Sequence, residues 1–328
     1  MYRGETDLAL HLDEDLLRVS RQRNDSRGLV LSRQACGTGY LLHGRFALSR
    51  SFLEKVLSLY DPNSHHLLGH QTGSHPHVVA QGYLGVALLC LGFPDQALAH
   101  TNAAIVEARR LAHSPTLASG LVIGAILLSV LDDNRVLNEL VNELVELAAE
   151  QGFPQWRALG AIYRGWVKAK NGNVVEGISL LRGGSAAYRA NGSEVWMAHH
   201  TALLSRACDI AEQIEEALTA LDDALQIARR TGERWLDAEL YRQKGRLLLR
   251  QGHAVAAEEL YREALSVAVE QEAKLWELRA ATSLARLRRD QHRRSEVRDL
   301  LAPVYGWFTE GFDTPDLKEA KALIDELS

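Results

Sequence analysis

The stretch GRLLLRQGHAVAAEELYREAL, Gly245–Leu265, decides how this chain folds. A leucine-rich segment runs from Gly245 to a second glycine, Gly252, and a segment with Ala257, Tyr261 and Ala264 at helical spacing follows. Gly245 marks a point where two backbones must approach closely. Gly252 supplies the left-handed conformation that ends a helix, which other residues adopt only at a cost. The unit is therefore helix, turn, helix. Stepping by 40 from Ala257 gives Ala97, Leu137, Gly177, Ala217 and Val297. Twelve residues before these positions stand Gly85, Ala125, Gly165, Ser205, Gly245 and Ala285, all small. The turn column reads Gly92, Asp132, Gly172, Glu212, Gly252 and His292, and Gly152, Gly192 and Gly232 close the repeats. Towards the N-terminus the same spacing joins Gly4 to Gly44 and Ala9 to Ser49. Eight extra residues then separate Ser49 from Ala97, and they fall between Asp61 and His77.

This pattern resembles the tetratricopeptide (TPR) repeat, stretched from its usual ~34 residues to about 40. Tyr40, Gly44, Phe46 and the pair Asp61-Pro62 match it as well as the first stretch does. The expected fold is all-α: a right-handed α-solenoid of TPR-like helix pairs with a C-terminal capping helix. One solenoid spans residues 1–328. It divides into an orphan second helix (1–24), a repeat (25–62), a His/Gly-rich insert (63–77), six further repeats (78–306), and a loop with the capping helix (307–328). Thr314 caps that last helix and Pro315 takes its first position.

Composition agrees. Alanine and leucine account for 96 of 328 residues and proline for only seven, which argues against a β-sandwich or barrel. A net charge of −5 argues against a nucleic-acid binder held by phosphate contacts. No apolar run reaches the roughly 20 residues of a membrane span. Cys36, Cys90 and Cys208 are few and far apart, as in a reduced cytoplasmic protein.

Four stretches go beyond the generic repeat: LGFPDQAL (Leu91–Leu98), GERWLDAELYRQKGRLLL (Gly232–Leu249), KLWELRAATSLARL (Lys274–Leu287) and LLAPVYGWFTEGFDTPDLKEAKALIDELS (Leu300–Ser328). They resemble the C-terminal TPR region of large bacterial proteins that join a class III adenylate/guanylate cyclase, an AAA-type (STAND-like) ATPase and a helical array. The segment YGWFTEGFDT is the most specific, because nothing in the repeat requires it. The resemblance implies a sensing or scaffolding arm of a signalling ATPase. It implies no enzymatic activity here, since no GxxxxGK[ST] phosphate loop is present.

The expected function is non-catalytic binding of a protein or peptide in the concave groove, with no catalytic residue, cofactor or metal. Two alternatives are a small-molecule sensor within the superhelix and a metal-dependent enzyme or metal-binding protein using the insert, which holds His65, His66, His70, His75 and His77. The loop-forming residues around those histidines read instead as a solvated connection. Trp156, Trp196, Trp235 and Trp276 nearly follow the period, so they are expected to pack between repeats. Groove positions flank the small column on each first helix. Early copies place Val79, Val86, Leu89, Val122, Ile126 and Trp166 there, to take an apolar segment. Later copies place Arg206, Arg242, Arg246, Arg250, Arg279, Arg286 and Arg289, either to take an acidic segment or a chain-terminal carboxylate or to pair with Glu239 and neighbouring acids on a solvated surface. The orphan helix carries Leu8, Leu12, Leu16 and Val19 on one face, expected to be covered by a second copy or a preceding domain.

Overall fold

The computed structural model describes residues 5–61, 65 and 68–326, and among them there are 17 α-helices and no strand. Gly4, Pro62 and His66 lie outside the described residues. Helix α1 (Thr6–Gln22) precedes the pair α2 (Ser26–Leu42) and α3 (Phe46–Leu59), and a short α4 (Leu68–Thr72) follows. Then come α5 (Pro76–Cys90) with α6 (Pro94–Arg110), α7 (Ser114–Leu131) with α8 (Asn134–Gln151), and α9 (Pro154–Lys170) with α10 (Val174–Ala190). The array continues with α11 (Met197–Ile210) and α12 (Ile214–Thr231), α13 (Asp237–Arg250) and α14 (Ala254–Glu270), and α15 (Lys274–Asp290) and α16 (Arg294–Tyr305). Helix α17 (Pro315–Asp325) ends it. The fold is a TPR-like α-solenoid.

The period is written into the backbone. Within each pair one turn residue is left-handed: Gly44, Gly92, Asp132, Gly172, Glu212, Gly252 and His292 have φ between +58° and +90°. Asp132, Glu212 and His292 hold this conformation despite their side chains, so the architecture outweighs a local cost of roughly 1–2 kcal/mol each. The small column has an equally concrete cause. A Cβ on Gly165 would lie 2.7 Å from the Gly177 carbonyl, and one on Gly85 would lie 2.8 Å from that of Ala97. Where the column holds serine, the hydroxyl uses the contact: Ser205 Oγ donates to the Ala217 carbonyl at 2.8 Å.

Stacking closes the superhelix on itself. The Leu42 carbonyl accepts hydrogen bonds from the Arg234 and Trp235 amides at 2.7 and 3.1 Å, almost five periods later in the chain. Thr6 Oγ1 donates to the Thr231 carbonyl at the same seam. A second seam is made by the segment that the repeat does not explain. Glu310 accepts the Asp95 and Gln96 amides, both at 3.0 Å, and so caps the start of α6. The Gly311 amide donates to Asp95 Oδ2 at 3.0 Å, and Trp307 packs edge-on to Phe93 at 5.4 Å. The strap from Trp307 to Gly311 therefore fastens the last repeat to an early one. Arg279 reinforces it across the interior, donating to the Val130 carbonyl at 2.7 Å.

Closure buries what an open groove would expose. Every residue of α7 from Ala118 to Leu131 is buried, so a helix apolar and long enough to cross a membrane is here the central core helix. Val86 and Leu89 are likewise core residues and present no open surface to an apolar segment. The histidine insert is also packed, which corrects the reading of a solvated loop. His65 and His75 are buried, and the Tyr60 ring sits 5.9, 5.3 and 4.3 Å from those of His65, His75 and His77. Among the described residues no group of three His, Cys, Asp or Glu side chains is arranged to hold a metal. Leu8, Leu12 and Leu16 on α1 are exposed, while Leu10 and Leu17 pack against Cys36 and Tyr40.

Candidate functional site

Residues one step after the small column follow one line around the interior: Val86, Ile126, Trp166, Arg206, Arg246 and Arg286, each 40 after the last. The first helix of every pair faces inward, so this column winds from apolar to cationic. At its later end lies a cavity of about 340 Å³. Its lining includes six cations, Lys170, Arg206, Arg242, Arg246, Arg279 and Arg286, and five anions, Asp132, Asp209, Glu239, Asp316 and Glu319. One positive charge is left over.

The arginines are held in a fixed network. Arg242 grips Glu239 with two nitrogens at 2.7 Å each. Arg279 grips Asp316 with contacts of 2.7 and 2.8 Å and stands 3.7 Å from Glu239. Arg206 donates to Asp132 at 3.0 Å, and Lys170 reaches the same carboxylate at 2.6 Å. Arg246 contacts Asp209 at 2.5 Å, and Arg250 shares that carboxylate. Arg286 pairs with Glu319. Burial alone would push the Glu239 carboxyl up, but Arg242, Arg279 and Gln243 beside it hold it at about 2. Burial likewise disfavours charge on Arg279, and Asp316 and Glu239 outweigh it, so its pKa lies above the ordinary arginine value. Both groups stay charged across the whole working pH range.

Two expected groove residues stand apart. Arg289 lies outside the cavity and pairs with Asp290 and Glu326. Arg250 also lies off its lining and reaches the network only through Asp209. Trp166 corrects a third expectation. It stands in the wall of the cavity but is 1% exposed, and the Arg206 guanidinium covers its ring at 4.3 Å, so it serves there as a platform for Arg206. Of the carboxylates the sequence singles out only Glu239, as a partner of the arginines on a solvated surface, and the structure makes that pairing but buries it. Asp209 lies one helical turn after Ser205, on the same inward face, and that offset was the available signal. Asp316 comes from α17 and carries no periodic signal.

The earlier half of the interior holds a second cavity of about 180 Å³. Val79, Val122 and Ile126 line it together with Tyr83, Trp156, Tyr188, Trp196 and His200. Trp196 stacks on Tyr83 at 5.7 Å and meets Trp235 edge-on at 5.1 Å. Trp276 Nε1 donates to the Trp235 carbonyl at 3.1 Å, so the periodic tryptophans link successive repeats from within. Ser129 Oγ and His199 Nε2, 3.1 Å apart, lie on the same two inward-facing helices as the walls of this cavity.

No family model matches the chain. It is 25% identical over 258 residues to an uncharacterised protein, R02095, of Rhizobium meliloti (strain 1021). The match takes in 76% of this chain and 24% of that protein, so the chain spans about a quarter of its relative's length. Among solved structures, a Rap protein complexed with Competence and Sporulation Factor is similar with a TM-score of 0.54 and 11% identity, over 98% of this chain and 97% of that one. Cut9 in the APC/C Cut9–Hcn1 hetero-tetramer also reaches 0.54, with 18% identity, over 87% of this chain and 47% of that one. A STAND protein with a tetratricopeptide repeat sensor, PH0952 from Pyrococcus horikoshii, reaches 0.50 at 10% identity, over 98% of this chain and 49% of that one. At these identities the likeness is one of fold.

Proposed function

We propose that this chain is a non-catalytic binding module, the sensing or scaffolding arm of a signalling ATPase or cyclase system. Its site is the charged interior cavity, which receives an anionic group from a protein or peptide partner. The observation that carries this reading is the cationic excess of that lining, six positive side chains against five negative, in a cleft open to solvent on the inner face of the superhelix. A carboxylate entering it would neutralise the excess and meet arginines already oriented by Asp209, Asp316 and Glu239. At about 340 Å³ the cavity suits a chain terminus or one acidic side chain, since sites of a few hundred Å³ hold small ligands. The wider context is supported by the resemblance of Gly232–Leu249 and Leu300–Ser328 to the arrays of cyclase–ATPase proteins. The likeness in fold to a STAND repeat sensor agrees with it.

The test uses a fluorescein-labelled glutamate-rich peptide with a free C-terminal carboxylate, and the same peptide amidated. Fluorescence anisotropy should show binding of the free acid that weakens with added salt and falls in Arg246→Gln and Arg286→Gln. Both arginines are about half exposed, so melting should change little. Equal binding of the amide, or salt-insensitive binding retained by both variants, refutes the proposal.

A further inference from the structure

The second cavity points to a different ligand. Its lining contains no Lys, Arg, Asp or Glu among the described residues, in contrast to the charged cavity deeper in the array. Four aromatic rings, Tyr83, Trp156, Tyr188 and Trp196, stand in its wall with Val122 and Ile126, beside the neutral polar side chains of Gln34, Thr38, Ser74, Ser119 and Gln155. A cavity of ~150 Å³ has room for benzene, and this one, with a mixed aromatic and neutral polar wall, is about 180 Å³. Its wall also has a polar handle. His200 is completely buried, and its Nδ1 makes no hydrogen bond, while Nε2 lies 3.4 Å from the Tyr163 hydroxyl. A buried, unsatisfied ring nitrogen is costly unless something pairs with it.

The position of Trp196 is maintained against its own preference. Its φ is +69°, a conformation that a bulky side chain rarely adopts. Both carboxyl oxygens of the buried Glu233 hold its amide, at 3.0 and 3.1 Å. Strain of this kind is retained where surrounding structure fixes it, and it gathers at ligand sites. Here it places an indole ring against Tyr83 in the cavity wall.

We propose that this cavity is a second binding site, for a small neutral aromatic molecule that packs against the stacked pair Tyr83–Trp196 and hydrogen-bonds His200. It extends beyond the anionic site, because the two linings share no residue and favour opposite polarity. The ligand is a free, uncharged molecule with one or two rings.

Indole is the probe, with indole-3-carboxylate as its charged counterpart. Calorimetry and saturation-transfer NMR on the whole chain should show saturable indole binding and at least ten-fold weaker binding of the carboxylate. Val79→Phe adds a ring at a half-buried wall position and should abolish indole binding without loss of helicity. His200→Phe keeps the ring and removes the hydrogen-bonding atom, and should weaken binding about ten-fold. The proposal is overturned if indole does not bind, or if Val79→Phe binds it undiminished. Tighter binding of the carboxylate, or capture of aromatic peptide side chains with free indole ignored, overturns it too. The acidic-peptide experiment is unaffected by any of these outcomes, so the two readings stand or fall separately.

Discussion

Closure of the superhelix can be tested with two glycines that differ only in their surroundings. Gly92 and Gly172 occupy the same column, two periods apart, and both have φ of +90°. A Cβ added at Gly172 meets nothing within 4 Å. One added at Gly92 meets the Trp307 ring at 2.7 Å, Lys274 Cβ at 2.8 Å and the Phe308 ring at 3.0 Å. Lys274 Cβ is anchored to the backbone and cannot swing aside, so the strap has to move. Gly172→Ala should cost about 1 kcal/mol, the left-handed penalty of roughly 1–2 kcal/mol less what a stiffer unfolded chain returns. Gly92→Ala carries the same term plus overpacking of ~1–3 kcal/mol. Urea denaturation should therefore separate the two variants by about 1–3 kcal/mol. Hydrogen exchange should localise the difference, with the Asp95, Gln96 and Gly311 amides losing protection in Gly92→Ala only. Equal stability and equal exchange in the two variants would refute the seam between this turn and the strap.

Ala217→Leu and Ala257→Leu, both at fully buried column positions, should each lower stability by ~1–3 kcal/mol in the same urea assay. The insert should respond unevenly: His70→Ala on the surface should stay within ~0.5 kcal/mol, whereas His75→Ala, at a buried site beside Tyr60, should cost ~1–3 kcal/mol. Stability should also depend on pH in both directions. Burial pushes the Glu233 carboxyl from 4.5 up to about 8, so the unfolded chain ionises first and stability falls as pH rises through that window. Burial lowers His75 to about 4 and His200 to about 3 from 6.5, so their contribution is complete above 6.5 and is lost as pH falls towards those values. Thermal melts across pH should peak at about pH 6–7. Glu233→Gln should flatten the alkaline side, and an unchanged alkaline slope in that variant would exclude Glu233 as its source.

The repeat was legible because it is a backbone property. A left-handed turn needs glycine or pays a cost, and a carbonyl pressed against a neighbouring helix excludes a Cβ, so Gly92, Gly172, Gly252, Gly85 and Gly165 record the turns and crossings directly. The superhelical pitch was not legible, because a period reports how each repeat meets the next and is silent on where the array returns. That return depends on single contacts between distant segments, such as Leu42 with Trp235 and Glu310 with Asp95. The only sign of it was negative, a segment, YGWFTEGFDT, for which the repeat had no use.

The same distinction separates the two halves of the candidate site. Arg206, Arg246 and Arg286 could be placed together because one column on successive inward-facing helices carries them. Their partners could not, because Asp132 sits in a turn, Asp209 in a different column and Glu319 on the final helix. Those carboxylates change the chemistry of the site. An arginine cluster without them would be an open anion trap whose charges repel. With them it is a network of oriented forks carrying one excess positive charge, and an incoming carboxylate gains from that charge without reorganising the groups that receive it. Trp166 shows how closure assigns roles within one column: Arg206, one period later, lies across its ring, so the residue that marks the change from apolar to cationic is itself removed from solvent. The interior is thereby partitioned into a neutral aromatic end and a charged end. A ligand at either end would act on the helices that line both, because α7, α9 and α11 contribute walls to each cavity.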